Sequence, residues 1–339
     1  MIPNSYYTEH IIDDAILQRF ACVAGAPRCG TTTLSRLLAE HPEVCFSSVK
    51  EPHFFSRYDL DGLSEHALRA TLHGDYLPRY FGHCAADKTL WAEGSVSYLY
   101  TPDRMWPVLQ VWPDAKFIVA LRDPLTMLPS LHQRLLYIGD EVVEDFATAW
   151  ALTSERAQGR RIPRSCIAPE FLRYDEIGRL GKYLEQFFDV VGRQRCFVAV
   201  YDDLAADPAA LYRRLLDFLE LSDDGRRDFP RHRAGRGYKI GWLQRLLKRP
   251  PAAVREIAAG DKYRLRVEPL DRDRRKGPTP VLLRAATAGR KRLLRWNKAQ
   301  PRPIRLDPRL RREIHDTLAD DVARLSTLIG RDLSHWLAV

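Results

Sequence analysis

Nine residues near the amino end, Gly25-Ala26-Pro27-Arg28-Cys29-Gly30-Thr31-Thr32-Thr33, combine the features of an anion-binding turn. They stand where a short apolar run, Phe20 to Ala24, hands over to a stretch of helical periodicity. Backbone N–H groups at such a turn, with the helix N-terminus, meet a phosphate or sulfate directly. Gly30 admits close backbone approach, Arg28 brings a fixed positive charge, and the threonines add hydroxyl donors. The run is not a Walker A loop, because no Lys precedes a Ser or Thr and too few residues separate the glycines. By itself, a Gly-containing turn here serves an anion or is simply a tight turn. Cys29 reads as a small space-filler, with a reactive thiol at a helix N-terminus as its rival.

Two further clusters carry acid–base and charge chemistry. In Val49-Lys50-Glu51-Pro52-His53-Phe54-Phe55, Glu51 suits a general base if its carboxyl pKa is raised, and Phe54 and Phe55 could supply an apolar wall for that. The plain alternatives are that Glu51 pairs with Lys50 or caps a helix, and that His53, a second candidate base, is a packed histidine. Arg122-Asp123-Pro124, with Ser130 eight residues after Arg122, reads either as an anion site or as an ion pair and a surface serine.

The elements that must position these residues are legible around them. Phe20–Ala24, Lys116–Leu121 and Cys196–Val200 are near-continuous apolar runs, as expected of parallel strands covered on both faces. Thr31 to Glu40 places Leu34, Leu37 and Leu38 on one helical face, and Pro124 starts another helix through Leu128, Leu131 and Leu135. Ile177–Phe188 and Leu211–Leu219 are amphipathic, Tyr201-Asp202-Asp203 ends a strand, and Asp307-Pro308 caps a helix that Gly330 stops. Strands alternating with helices predict an α/β fold, P-loop-like and three-layered, with a central parallel sheet flanked by helices.

Taken in order, the loop 25–33, the Lys50-Glu51-Pro52-His53-Phe54-Phe55 run and Arg122-Asp123-Pro124 with Ser130 resemble the sulfotransferases that use 3′-phosphoadenosine 5′-phosphosulfate (PAPS). The likeness is strongest to the heparan-sulfate-type and bacterial branch. It implies that Arg28, Cys29, Gly30, Thr31, Thr32 and Thr33 bind the 5′-phosphosulfate, and that Arg122 and Ser130 bind the 3′-phosphate. It implies Glu51 as catalytic base, helped by Arg28 and Lys50, and no metal. Weaker likeness covers Trp91–Tyr98, bordering the acceptor site, the segment Ile177–Leu204, and Ile329–Trp336. Several relatives carry Lys after the Glu matching Glu93, where this chain has Gly94. Arg233, Arg236 and Lys239 lie near the family's late cofactor loop. The resemblance favours a hydroxyl acceptor on a carbohydrate, glycolipid or small metabolite.

Bulk properties set the frame. At 339 residues, 45% hydrophobic and 29% charged, the chain is an ordinary globular protein. It reads as one domain over 1–339, with a basic helical and loop insertion at 226–305 that holds 25 Lys/Arg against 6 Asp/Glu. That segment either meets an anionic partner or is a solvated face. Leu282, Leu283, Leu293, Leu294 and Trp296, among Arg284, Arg290, Lys291, Arg292 and Arg295, outline a basic amphipathic helix over 282–296. It either meets an anionic membrane surface or packs its apolar side on the core, the second being preferred; no nucleic acid partner is expected. The absence of a basic n-region and an apolar run at the start, and of any long apolar window, leads to a cytoplasmic expectation. The six scattered cysteines show neither zinc spacing nor a disulfide framework. The competing functions are a P-loop nucleotide-dependent kinase, which lacks its Gly-Lys-Ser/Thr here, and a non-enzymatic anionic-surface binding protein.

Overall fold

The computed structural model describes residues 18–85, 87–229, 236–249, 281–301 and 304–338, with the side chains of 281–287 outside that description. The amino-terminal segment read above, Arg233, and the side chains of Leu282, Leu283 and Arg284 therefore lie outside the described residues. The chain divides into two compact units, Met1–Arg122 with Gly181–Arg231, and Asp123–Leu180 with His232–Val339.

The first unit holds the sheet. Strand β1 (Arg19–Val23) leads through the anion loop into α1 (Thr31–Ala39), and β2 (Val44–Phe46) follows. Short helices α2 (Phe54–Arg57), α3 (Glu65–Thr71) and α4 (Leu77–Phe81) come next, with a π-helical turn at Leu72–Tyr76. Then come β3 (Leu90–Gly94), α5 (Trp106–Val111) and β4 (Lys116–Leu121). The five strands, all parallel, lie in the order β2-β3-β1-β4-β5, with β5 at Cys196–Val200. Strand β1 is central, and Cys22, Val23, Ile118 and Val119 have no exposed surface. Burial on both faces is why these runs are continuously apolar rather than alternating.

Loops at the carboxyl ends of such strands line the crevice where open α/β sheets bind ligands. The five carboxyl ends here deliver the loop after β1, the Lys50–His53 segment, Ser95–Ser97, Arg122 and Tyr201.

The second unit is helical. It comprises α6 (Pro124–Ile138), α7 (Phe146–Ala151), α8 (Thr153–Ala157) and α9 (Tyr174–Ile177). Helix α10 (Leu180–Val191) begins at the boundary and returns the chain to the first unit, where α11 (Tyr201–Ala206) and α12 (Pro208–Leu219) follow β5. Tyr201-Asp202-Asp203 thus opens a helix instead of closing a strand. The part of the basic segment described beyond residue 235 supplies β6 (Gly237–Tyr238), α13 (Gly241–Lys248), α14 (Val281–Trp296) and β7 (Lys298–Ala299) to the second unit.

Helix α15 (Pro308–Ile329) completes that unit; Asp307 caps it by accepting from Leu310 N at 2.9 Å, and left-handed Gly330 ends it. Its interior centres on a buried ion pair, Arg156 with Glu141 at 2.8 Å, which Tyr174 joins with a 2.9 Å hydrogen bond to Glu141.

The cysteine expectation is corrected by the first unit. Cys45, in the middle of β2, and Cys84 form a disulfide with Cα atoms 5.7 Å apart. His83 stands beside it, its Nε2 3.9 Å from Cys45 Sγ. The pair is separated by 39 residues in sequence, so no local spacing announces it.

Candidate active site

The loop after β1 is built by close packing against β4. Ala24 and Ala26 donate to Ile118 O and Ala120 O at 2.9 and 3.0 Å, carrying the ladder past the end of β1. Between them, a Cβ on Gly25 would lie 2.2 Å from Ala120 N, so only glycine fits. Gly30 N-caps α1 at φ 94°, and a Cβ there would lie 2.7 Å from Leu204. No side chain caps α1. Thr33 N donates to Gly30 O at 2.9 Å, and a helix start without a side-chain cap is suited to an external acceptor at the amides ahead of it. Thr31 is buried at the start of α1, Thr32 is exposed and Thr33 half-buried. Cys29 is buried beneath the loop, and burial pushes its thiol pKa far up, with Arg122 and Arg28 opposing. It fills space and is no low-pKa nucleophile.

Arg122 joins the loop to β5. Its Nη1 donates to the Arg28 carbonyl at 3.3 Å, and its guanidinium lies 4.3 Å from the centre of the Tyr201 ring. Arg28 and Arg122, chosen from motifs 94 residues apart, are thereby brought to one place. Tyr201, which the sequence reading gave no chemical role, thus stands against Arg122; its position directly after an apolar strand run was the available signal. Ser130 sits half-buried on α6, in the second unit.

Lys50 and Glu51 meet, Nζ to Oε1, at 2.6 Å, with side chains 27% and 25% exposed. The ion-pair reading of Glu51 therefore holds; an ion pair and a base role are compatible when the partner keeps the carboxylate ionised. Phe54 and Phe55 are buried, and their ring contacts run to Tyr58, Tyr76, Tyr80 and Tyr98. They fasten the turn to the core.

Backbone strain collects on the residues the motifs singled out. Among the described residues, six non-glycines have positive φ, and Arg28 (67°), Glu51 (62°) and His53 (56°) are three of them. Each such residue costs about 1–3 kcal/mol and persists only where its surroundings enforce it.

The enforcing contacts at the Glu51 segment run to Glu93, the fully buried penultimate residue of β3. Tyr76 and Tyr98 donate to its Oε1 at 3.0 and 2.7 Å, and Ser95 donates to Oε2 at 2.8 Å. Ser95 in turn accepts from His53 N at 2.9 Å, while the Tyr98 hydroxyl accepts from Phe55 N at 3.4 Å. Ser97 adds a 2.7 Å contact to His53 Nδ1. The buried carboxylate thus holds two backbone N–H groups just past Glu51 through two hydroxyls. Burial raises the Glu93 pKa to about 7, with its three hydroxyl donors pulling the other way. None of Glu93, Ser95 and Ser97 was assigned a role from the sequence.

Gly94 explains the missing lysine. A Cβ there would lie 2.8 Å from Ser35 Oγ on α1 and 3.2 Å from Val23 Cβ. A cleft of about 490 Å³, lined among others by Tyr100, Asp103, Arg104, Gln186 and Asp189, opens elsewhere in the first unit.

This arrangement is that of a known family. The model of the sulfotransferase family matches residues 21–225, more than half of the chain. The chain belongs to the sulfotransferase family. Among curated proteins, carbohydrate sulfotransferase 15 of Rattus norvegicus is 25% identical over 244 residues, covering 59% of this chain and 43% of that protein. Heparan sulfate glucosamine 3-O-sulfotransferase 3B1 of Homo sapiens is 30% identical over 204 residues, covering 59% and 46%. The chain spans less than half the length of these relatives. A sulfotransferase structure from Alicyclobacillus acidocaldarius superposes with a TM-score of 0.59 at 23% identity, over 95% of this chain and 99% of that one. That likeness establishes the P-loop-like fold of this sulfotransferase chain, and membership removes the kinase reading.

Proposed function

We propose that this sulfotransferase-family chain moves the sulfuryl group of PAPS onto an acceptor hydroxyl and releases 3′-phosphoadenosine 5′-phosphate (PAP). The observation that carries the proposal is Arg122, held between the Arg28 carbonyl and the Tyr201 ring beside the uncapped start of α1. A fixed guanidinium next to a helix start that no side chain caps suits a ligand with two separated anionic groups. In this reading the amides of 29–33, with Arg28 and the threonine hydroxyls, take the 5′-phosphosulfate, and Arg122 takes the 3′-phosphate, to which Ser130 is tied by the family resemblance alone.

Sulfuryl transfer resembles phosphoryl transfer, so in-line positioning and charge stabilisation dominate. The acceptor oxygen forms a bond to sulfur while the bond from sulfur to the phosphate oxygen breaks. Glu51 takes the acceptor proton. Arg28, the loop amides and Lys50 meet the charge that builds on the departing phosphate. Lys50 also pairs with Glu51 directly, at 2.6 Å.

For the acceptor, the names of the relatives, carbohydrate and heparan sulfate glucosamine sulfotransferases, support a sugar hydroxyl. A glycolipid or a small hydroxylated metabolite presents the same group.

The test is Glu51→Gln. Thermal stabilisation by PAP should match the parent, and should exceed that by ATP in both. Turnover of radiolabelled PAPS with a panel of sugar acceptors should vanish. An active Gln variant removes Glu51 from the mechanism, and failure of PAP to stabilise the parent removes the donor.

A further inference from the structure

Helices α13 and α14 turn polar groups inward and large apolar groups outward. They run antiparallel within the second unit: Asn297, just past α14, hydrogen-bonds Ile240 at the start of α13, whereas Arg290 Nε donates to Leu247 O near its end. Gln244 and Asn297 are almost completely buried and bond each other at 3.2 Å, and Gln244 also donates to Tyr137 O at 2.8 Å. The pair is thus seated by amide hydrogen bonds.

Its large side chains point the other way. Trp242 is 62% exposed, Leu246 49%, Leu293 46% and Trp296 54%. Trp242 and Leu246 stand one turn apart on one face of α13, opposite Gln244, and Leu293 and Trp296 are neighbours on α14. Among the described residues the other exposed large apolar side chains are Trp106, Val142 and Ile167, scattered in sequence, so this is a concentration and not background. The preferred expectation, an apolar side packed on the core, is corrected at Leu293 and Trp296.

The charge carried by the two helices themselves has one sign, although Asp140 pairs with Arg249 at 2.6 Å and Glu144 lies beside Gly241. Residues 236–249 and 288–301 contain Arg236, Lys239, Arg245, Lys248, Arg249, Arg290, Lys291, Arg292, Arg295 and Lys298, and no Asp or Glu. The Lys239 ammonium lies 5.2 Å from the Trp296 ring centre. Lys248 is pushed down to about 8, first by burial and then by Arg134, Arg290, Arg236 and Arg249, a sign of how densely the positive charge is packed.

We propose that the α13–α14 pair is a docking surface for an anionic lipid bilayer, with the two tryptophans and two leucines entering the headgroup layer among the arginines and lysines. Charge alone would equally suit a polyanion such as a nucleic acid or a sulfated glycan. Tryptophan can stack on bases or sugar rings of such a polyanion, but Leu246 and Leu293 gain no apolar cover there, whereas the bilayer interface accepts both tryptophan and leucine and supplies anionic phosphates around them. No helix among the described residues is long and apolar enough to cross a membrane, so the contact is with the surface.

Sedimentation of the full chain with vesicles tests this. Pelleting is expected with mixed phosphatidylcholine–phosphatidylserine vesicles at low salt, not with phosphatidylcholine alone, and should fade at high salt. The double variant Trp242→Ser with Trp296→Ser should lose at least about tenfold of that affinity. Arg292→Glu with Arg295→Glu should abolish it. All four residues are exposed, so melting temperature and stabilisation by PAP should stay at parental values, which separates this idea from the donor assignment. No pelleting on phosphatidylserine vesicles at low salt overturns the proposal. So does pelleting that the tryptophan substitutions leave unchanged. Binding to heparin without binding to vesicles would assign the surface to a polyanion instead.

Discussion

The Ser95 hydroxyl accepts a hydrogen bond from the His53 backbone N–H at 2.9 Å. Ser95 is committed at the same time to Glu93, at 2.8 Å, so the turn after Glu51 is tied to a buried carboxylate and not to solvent. Tyr98 repeats the pattern at Phe55 N. The strained φ values of Glu51 and His53 have their restraint in this pair of links.

Loosening that restraint should impair the reaction more than donor binding. Glu93→Gln, which keeps volume but removes charge, is expected to lower kcat by about 10–100-fold, the scale of a small misplacement of a reacting group. PAP affinity should change little, because the loop after β1 is untouched. Ser95→Ala should give a smaller loss of the same kind. Equal losses in PAP affinity and kcat would show that Glu93 supports the whole sheet and not the turn.

Glu93 should also mark the pH dependence of stability. Its folded-state pKa of about 7 exceeds the ordinary 4.5, so the native state holds the proton more tightly than the unfolded chain does. This contribution is fully present below about pH 4.5 and is lost as pH rises through about 7, a change on the order of 3 kcal/mol. Urea unfolding of the parent and of Glu93→Gln across that range measures it. The stability difference between the two should move against the parent as pH rises and then level off. A constant difference would mean that Glu93 does not titrate there.

Arg122 depends on Tyr201 for its position. Tyr201→Ala removes the ring and should weaken PAP binding by about 5–30-fold, the equivalent of a 1–2 kcal/mol cation–π contact. Tyr201→Phe should retain most of the affinity. Calorimetric titration with PAP distinguishes this from a hydroxyl contact, for which the Phe variant would behave like Ala.

The link between Cys45 and Cys84 closes a 39-residue separation. Replacing both cysteines by serine should lower unfolding free energy by about 3–4 kcal/mol in the loop-closure picture. Dithiothreitol should lower the melting temperature of the parent and leave the double variant unaffected.

What could be read before any coordinates were at hand was local. Strand β1, its turn and α1 are dictated within about twenty residues by an apolar run, a required positive φ at Gly30 and helical spacing of leucines. Pro124 and Asp307 announced helix starts in the same way, because capping and φ restrictions act over one turn. The Arg28–Arg122 meeting was legible only through motif resemblance, since no periodicity spans 94 residues.

Tertiary packing alone decided the rest. Cys45 finds Cys84, and Glu93 collects Tyr76 and Tyr98 while steadying His53 through Ser95, because the parallel order β2-β3-β1 lays distant segments side by side. The sequence offers Phe54 and Phe55 as an apolar wall for Glu51, and only packing puts their rings in the aromatic cluster around Tyr76. The outward turn of Trp242 and Trp296 was likewise invisible in a helical pattern. An amphipathic period says that one face differs from the other, whereas burial of Gln244 and Asn297 determines which face looks inward.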